Sequence, residues 1–282
     1  MTTVTSSNRP LFGPDDIEIV MQTIFNDDVS GDFDLVLIDE AHHEAAMTIQ
    51  LLLESIGGCP IIGLTADDQR ADGVTLKFDH FVRPITRQEA VERGFLAETD
   101  LTSIVVHPKC DMVEWFEDVV TNFGHEMRQS LAFFSTRKEV MLATCILQEL
   151  GYKAVGLDTQ SHKQVQEILD RFKLSEIQFI VSCEKLGEGI DVPICSDVLI
   201  FETIASYMKL NQKVGRGARP QTDCRIWECI NAMSGDNLDT TYVVGTPRTH
   251  RLLSKRQGRW VTRYFDYTDD KTNLLHQETA DE

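Results

Sequence analysis

The stretch Asp34-Leu35-Val36-Leu37-Ile38-Asp39-Glu40-Ala41-His42-His43 decides how the rest of the chain folds. Its apolar residues suit a strand and run directly into two carboxylates, as a buried parallel strand does when its carboxyl edge carries a reaction centre. Asp39 and Glu40 point to opposite sides of that edge. One can then hold a hydrated Mg²⁺ while the other orients and deprotonates a water, the division of labour that phosphoanhydride hydrolysis requires.

Working outward, residues 45–55 place Ile49, Leu52 and Leu53 at helical spacing, and Gly57-Gly58 stops them. Pro60 to Asp67 then gives a second short strand ending in polar groups. Upstream, Ile17 to Ile24 reads as a strand entering a short helix. Two strands separated by a helix, both finishing in side chains able to touch phosphate or its water, describe a doubly wound sheet with its site at the carboxyl edge.

Residues 76–108 read as a connector: an extended piece from Leu76 to Val82, a helix from Arg87 to Arg93 and a strand from Leu101 to Val106. A second β/α alternation follows. Helices are expected over Met112–Met127, Arg137–Leu150 and Lys163–Phe172, and strands over Leu131–Ser135, Lys153–Leu157, Ile177–Ser182 and Asp197–Phe201. Such alternation builds a parallel sheet covered on both faces. The basic stretch from Arg248 to Tyr264 reads as a terminal hairpin, and Asp269 to Glu282 as a polar tail.

Composition narrows the classes. A chain of 282 residues with 42% hydrophobic content can bury one large core or two moderate ones. It has no apolar run of membrane-spanning length and no secretory signal, so no membrane is expected. The seven scattered cysteines form no Cys-x-x-Cys pair, which argues for buried thiols in a reducing cytoplasm and against disulfides or zinc. Net charge is −18, unevenly placed: residues 1–60 carry eleven acids and one base, whereas residues 201–260 carry ten bases and five acids. A local basic surface in an acidic protein is compatible with nucleic acid.

These residues together resemble the superfamily two helicases and translocases of the DEAH type, in the branch of restriction-enzyme motor subunits and DNA-repair helicases. Asp39-Glu40-Ala41-His42 resembles motif II and Gly63-Leu64-Thr65-Ala66 motif III. Ala132 to Arg137 resembles motif IV, Leu186 to Pro193 motif V, and Gln212-Lys213-Val214-Gly215-Arg216-Gly217-Ala218-Arg219-Pro220 motif VI. Thr203 and Ser206 resemble the Thr-x-x-Ser element that precedes motif VI.

The resemblance implies two RecA-like α/β domains with parallel sheets, the first truncated at its N-terminus (residues 1–100) and the second complete (residues 101–268). It implies ATP and Mg²⁺ as cofactors, with Asp39 holding the metal through water and Asp39, Glu40 and His42 acting in catalysis. Arg216 and Arg219 are implied as cations on the γ-phosphate; their spacing puts both on one side if the segment is helical. Gln212, Gly189, Asp191 and Thr65 are implied on the nucleotide side. Ser135, Thr136, Arg137, Thr203 and Ser206 are implied on a nucleic-acid backbone, with double-stranded DNA as the track, although the hydroxyls of Thr203 and Ser206 could instead cap a helix.

Three departures qualify that reading. Asp67 stands where motif III usually ends in a hydroxyl, and Gly187 where motif V commonly has Thr. Nowhere do the 282 residues contain Gly-x-x-x-x-Gly-Lys-Ser/Thr, the loop that cradles the phosphates. The expectation is therefore a motor portion that needs a second polypeptide carrying that loop. The competing expectation is a nucleic-acid-binding or regulatory remnant without ATPase.

Overall fold

A computed structural model describes residues 33–39, 41, 54, 58–65, 78–82, 85–107, 111–157, 160–183, 195–202, 204, 207–217, 223–231 and 240–265. The expected segments 17–24 and most of 45–55, the motif V residues and the polar tail lie outside them. So do Glu40, His42, Asp67, Gly187, Gly189, Asp191, Thr203, Ser206 and Arg219. The chain divides into two compact units, Met1–Asp79 and His80–Glu282. This division falls before the boundary expected near residue 100, because the helix at Arg87 belongs with the larger unit: Ala90 is buried and Arg87 lies beside Cys224.

In the first unit, β1 (Val36–Asp39) pairs in parallel with β2 (Ile61–Leu64), Asp39 opposite Leu64. Strand type and direction are as expected; burial is not. Leu37 is 63% exposed and Leu64 55%, with Leu35, Ile61 and Ile62 also open to solvent. A parallel strand is buried on both faces only when neighbouring strands and helices cover it, and among the described residues these two strands have only each other. Residues 78–82 form no strand, which corrects the expected β-like piece Leu76–Val82 over those five residues.

Among the described residues the second unit holds eight strands in the order β10-β9-β3-β8-β7-β4-β6-β5. These are β3 (Thr99–Val106), β4 (Ser130–Phe134), β5 (Ala154–Leu157), β6 (Phe179–Ser182), β7 (Asp197–Phe201), β8 (Cys224–Asn231), β9 (Thr249–Arg256) and β10 (Arg259–Phe265). All pairings are parallel except β9 with β10, so the sheet is mixed at one edge rather than wholly parallel. The helices are α1 (Arg87–Glu92), α2 (Met112–Phe123), α3 (Arg137–Glu149), α4 (His162–Lys173), α5 (Tyr207–Val214) and α6 (Thr240–Val244).

Both faces of the sheet are covered, and each has its own core. On one, α2 and α3 pack Phe116, Val119, Val140 and Leu147 against Phe134, Phe201 and Trp227. The rings of Phe116 and Phe134 meet edge to face at 5.1 Å, as do those of Phe116 and Phe201 at 5.0 Å. Burying each such ring is worth ~2–3 kcal/mol. On the other face, α4, α5 and α6 pack Val165, Leu169, Phe172, Leu210, Val214, Val243 and Val244 against Leu101, Leu131, Ile180, Val198 and Ile226.

Strand β8, which no reading of the sequence anticipated, fills the gap between β3 and β7. Its Glu228 is buried where two hydroxyls meet its carboxylate, one of them also contacting a histidine. Ser103 Oγ donates to Glu228 Oε1 at 2.7 Å and lies 2.9 Å from His250 Nε2, while Thr240 Oγ1 donates to Glu228 Oε2. At the amino end of β7, fully buried Asp197 accepts from Arg128 N at 2.9 Å, from Arg225 Nη2 at 2.7 Å and from Trp227 Nε1 at 3.0 Å.

Candidate functional site

Asp39 and Thr65 finish adjacent strands of the first unit and are both exposed at its carboxyl edge. Gly63, one residue before Leu64, leaves room there for a neighbour. A Cβ on it would meet Ala41 Cβ at 2.7 Å and the Phe78 ring at 2.6 Å. Ala41 is itself buried, so the glycine lets the chain beyond Asp39 fold down against β2. Motifs II and III are thereby packed together. Asp39 and Thr65 supply hard oxygen donors of the kind that hydrated Mg²⁺ accepts.

In the second unit, β4 is followed by Ser135, Thr136 and Arg137, all exposed. The Thr136 hydroxyl caps α3: it accepts from Glu139 N at 3.2 Å and donates to Glu139 Oε2 at 2.9 Å, while that carboxylate also takes Thr136 N–H at 2.7 Å. Its first task is thus to fix the turn that presents Ser135 and Arg137.

Arg216 stands on a turn and not on a helix. Helix α5 ends at Val214, after which Gly215 N bonds Asn211 O at 2.8 Å, Arg216 N bonds Lys213 O at 3.1 Å and Gly217 N bonds Val214 O at 3.0 Å. The conditional expectation of Arg216 and Arg219 on one helical face therefore fails for Arg216, because the glycines end the helix first. The turn is seated tightly. A Cβ on Gly217 would lie 2.9 Å from both Cys224 Sγ and Val198 Cγ2, and Cys195 Sγ donates to Arg216 O at 3.6 Å. Burial pushes the Cys224 thiol up to about 12, so it packs rather than reacts. Gln212 is half-buried one turn earlier on α5.

Sequence reasoning missed the group that ties these pieces together. Lys213, on α5, pairs with Glu202 at the end of β7, and both side chains are largely buried. Burial raises Glu202 above the usual carboxylate range, and Glu139 adds to this. The charges of Lys213 and Lys209 and the Lys213 hydrogen bond pull it partly back. Only the side-by-side appearance of Glu202 and Thr203 before motif VI hinted at it.

The basic segment expected to carry positive charge is half neutralised. Arg248 pairs with Asp100 and Asp223, Arg251 with Glu126 at 2.8 Å, and Lys255 with Asp118 at 2.6 Å. Arg251 also lies over the Trp227 ring, 4.5 Å from its centroid. These three bases hold β9 to the fold. Among the described residues no group of three or more His, Cys, Asp or Glu is gathered as a metal site, and no helix is long and apolar enough to cross a membrane.

Residues 111–221 match the family described as helicase conserved C-terminal domain, which takes in α2 through α5 and the Arg216 turn. This stretch is similar to the helicase conserved C-terminal domain. The chain is 26% identical over 239 residues to "Putative ATP-dependent helicase IRC3" of Saccharomyces cerevisiae, covering 71% of this chain and 34% of that one. It is 24% identical to a 51.5 kDa protein of a Lactococcus phage, covering 77% and 51% respectively. The chain spans between one third and about half of the length of these relatives. Its fold is shared with the ATP-dependent type ISP restriction-modification enzyme LlaBIII, solved bound to DNA, at a TM-score of 0.55 and 17% identity over 76% of this chain and 20% of that one. The larger unit is accordingly a RecA-like α/β domain.

Proposed function

We propose that this chain is part of an ATP-dependent motor that moves along nucleic acid, with double-stranded DNA as its track. The observation that carries the reading is the seating of Arg216. Its turn is fixed from below by Cys195, Val198 and Cys224 and by the Lys213 carbonyl, so the backbone that carries the guanidinium is held in place. A planar, permanently charged fork suits a γ-phosphate better than lysine does.

Asp39 and Thr65 fit a hydrated Mg²⁺, which when bound neutralises charge on the phosphates. Glu40 then orients and deprotonates the attacking water, and Gln212, Gly189 and Asp191 face the nucleotide. Ser135, Arg137, Thr203 and Ser206 contact the backbone of the track without reading bases. A segment outside these residues, in a separate polypeptide or in a longer form of this one, supplies the phosphate cradle that the sequence does not contain. Asp67 favours the alternative of a regulatory nucleic-acid-binding protein.

The two readings separate in one assay. The chain alone should show no DNA-stimulated ATP hydrolysis. Combined with a polypeptide bearing the phosphate loop it should turn over, Glu40→Gln should abolish turnover, and Arg216→Ala should lower kcat by roughly 10³-fold or more. Absence of turnover in every combination favours the regulatory protein, and robust turnover by the chain alone would place the phosphates on a different loop.

A further inference from the structure

The β9–β10 hairpin divides its basic residues by face. Gln257 (φ 49°) and Gly258 (φ 76°) close it in a two-residue turn with both φ positive, which locks the register: Arg256 opposite Arg259, Lys255 opposite Trp260, Arg251 opposite Tyr264 and Leu252 opposite Arg263. Side chains alternate between faces along each strand, so Arg251, Lys255 and Trp260 share one face and Arg256, Arg259 and Arg263 the other.

The first face is committed to the fold. Trp260 meets Trp115 at 5.6 Å and Phe123 at 5.3 Å, and Arg251 and Lys255 pair with acids on the adjoining helical layer. On the second face Arg256, Arg259 and Arg263 are all exposed, and none has an acidic partner among the described residues. Like charges directly opposite on paired strands are unfavourable. They persist here in a chain with 45 acids against 27 bases, whose other hairpin cations have found carboxylates.

We propose that Arg256, Arg259 and Arg263 form a stripe that binds the sugar-phosphate backbone of nucleic acid independently of sequence. This deepens the motor reading and adds a contact outside the matched helicase region, which ends at residue 221. Arg256 faces Arg259 across the hairpin, and Arg263 stands two same-face steps of ~6.6 Å each further along β10, so the three forks form a rigid row rather than a cluster around one anion. A line of guanidinium groups suits a repeating phosphate polymer. Half-buried Val261 lies between Arg259 and Arg263 on that face and offers no protruding apolar group for a lipid surface.

The test is fluorescence anisotropy of a labelled short random-sequence DNA duplex, and of its single strand, with the full chain between about 50 and 200 mM salt. Arg256→Gln/Arg259→Gln/Arg263→Gln should weaken binding roughly ten-fold or more at low salt and lower the slope of log K on log salt by about two to three. Lys255→Gln, which removes one charge from the opposite face, should leave the slope unchanged. Arg259→Gln alone should cost about one unit of slope, and relief of the Arg256/Arg259 opposition should leave Tm equal or higher.

Wild-type binding with an unaltered triple variant overturns the stripe while leaving the motor reading intact. So does a slope loss in Lys255→Gln equal to that of Arg259→Gln, which would mark a general charge effect. Failure of the wild-type chain to bind either probe overturns both.

Discussion

Lys213 Nζ lies 4.5 Å from the centroid of the Phe133 ring while the same ammonium pairs with Glu202. The cation joins three parts of the larger unit: the β4 strand that leads into Arg137, the end of β7 and the helix from which Arg216 hangs. Lys213 is the penultimate residue of α5, and its carbonyl accepts the Arg216 N–H. A side chain anchored at that point fixes the turn that follows.

Removing one partner of this pair should cost more than removing both. Glu202→Gln leaves a largely buried ammonium without its counter-charge but also removes a carboxylate that burial disfavours, so it should destabilise by only ~1 kcal/mol, below the cost of a fully buried pair. Glu202→Gln/Lys213→Met should recover most of that loss, because a thioether chain can rest on Phe133. Equal destabilisation of single and double variants in urea titrations would contradict the assignment. The pH dependence has a definite sign. Burial raises Glu202 in the folded state, so its titration favours folding below the ordinary carboxylate value, and that contribution is lost as pH rises through the raised value. Wild type should gain on Glu202→Gln as pH falls from neutrality towards that window.

Asp197 is the second place where one side chain holds several others. Asp197→Ala strands the Trp227 indole N–H and the Arg225 guanidinium and should cost ~3–5 kcal/mol, read from the denaturant midpoint. Asp197→Asn keeps an acceptor and should cost roughly half as much. A loss below ~1 kcal/mol in the alanine variant would mean that water replaces the carboxylate.

Gly217→Ala tests the seat of the Arg216 turn. Its methyl must displace Cys224 Sγ or Val198 Cγ2, at an overpacking cost of ~1–3 kcal/mol. Cys224→Ala opens space beside it. The double variant should therefore be more stable than the sum of the single effects predicts, and strict additivity would show that the turn moves away instead.

The first unit should be the weaker one. Leu37, Ile62 and Leu64 lie on a sheet that among the described residues has two strands and are open to solvent, so the chain should bind an apolar fluorescent dye, and limited proteolysis should leave a fragment beginning near residue 80. A protease-resistant N-terminal fragment would contradict this. Addition of a polypeptide that completes the phosphate cradle should lower dye binding.

Much of the larger unit could be read from local signals. Asp197 to Phe201 is a strand at the residues the apolar run marks, and Thr136 with Glu139 spells the cap that starts α3. Strand β8 could not be read in that way. Its Arg225 and Glu228 look like solvent-facing residues until Asp197, Ser103 and Thr240 are brought to them by the sheet. The roles of the bases were hidden for the same reason: Arg248 meets Asp100 across 148 positions and Arg251 meets Glu126 across 125. Sequence counts charges, and only the pairing of distant strands shows which remain uncompensated.

The position of β3 in the sheet has a consequence for how the protein is made. It is the first strand of the larger unit to leave the ribosome, yet both of its neighbours, β8 and β9, are encoded far downstream. Ser103 is translated 125 residues before the Glu228 that its hydroxyl meets, a wait of roughly 6–25 s at ordinary elongation rates. Throughout that interval both hydrogen-bonding edges of an apolar strand stand open. Nascent chains stalled before residue 224 should therefore engage chaperones that recognise extended apolar segments, and release should coincide with emergence of β8 and β9.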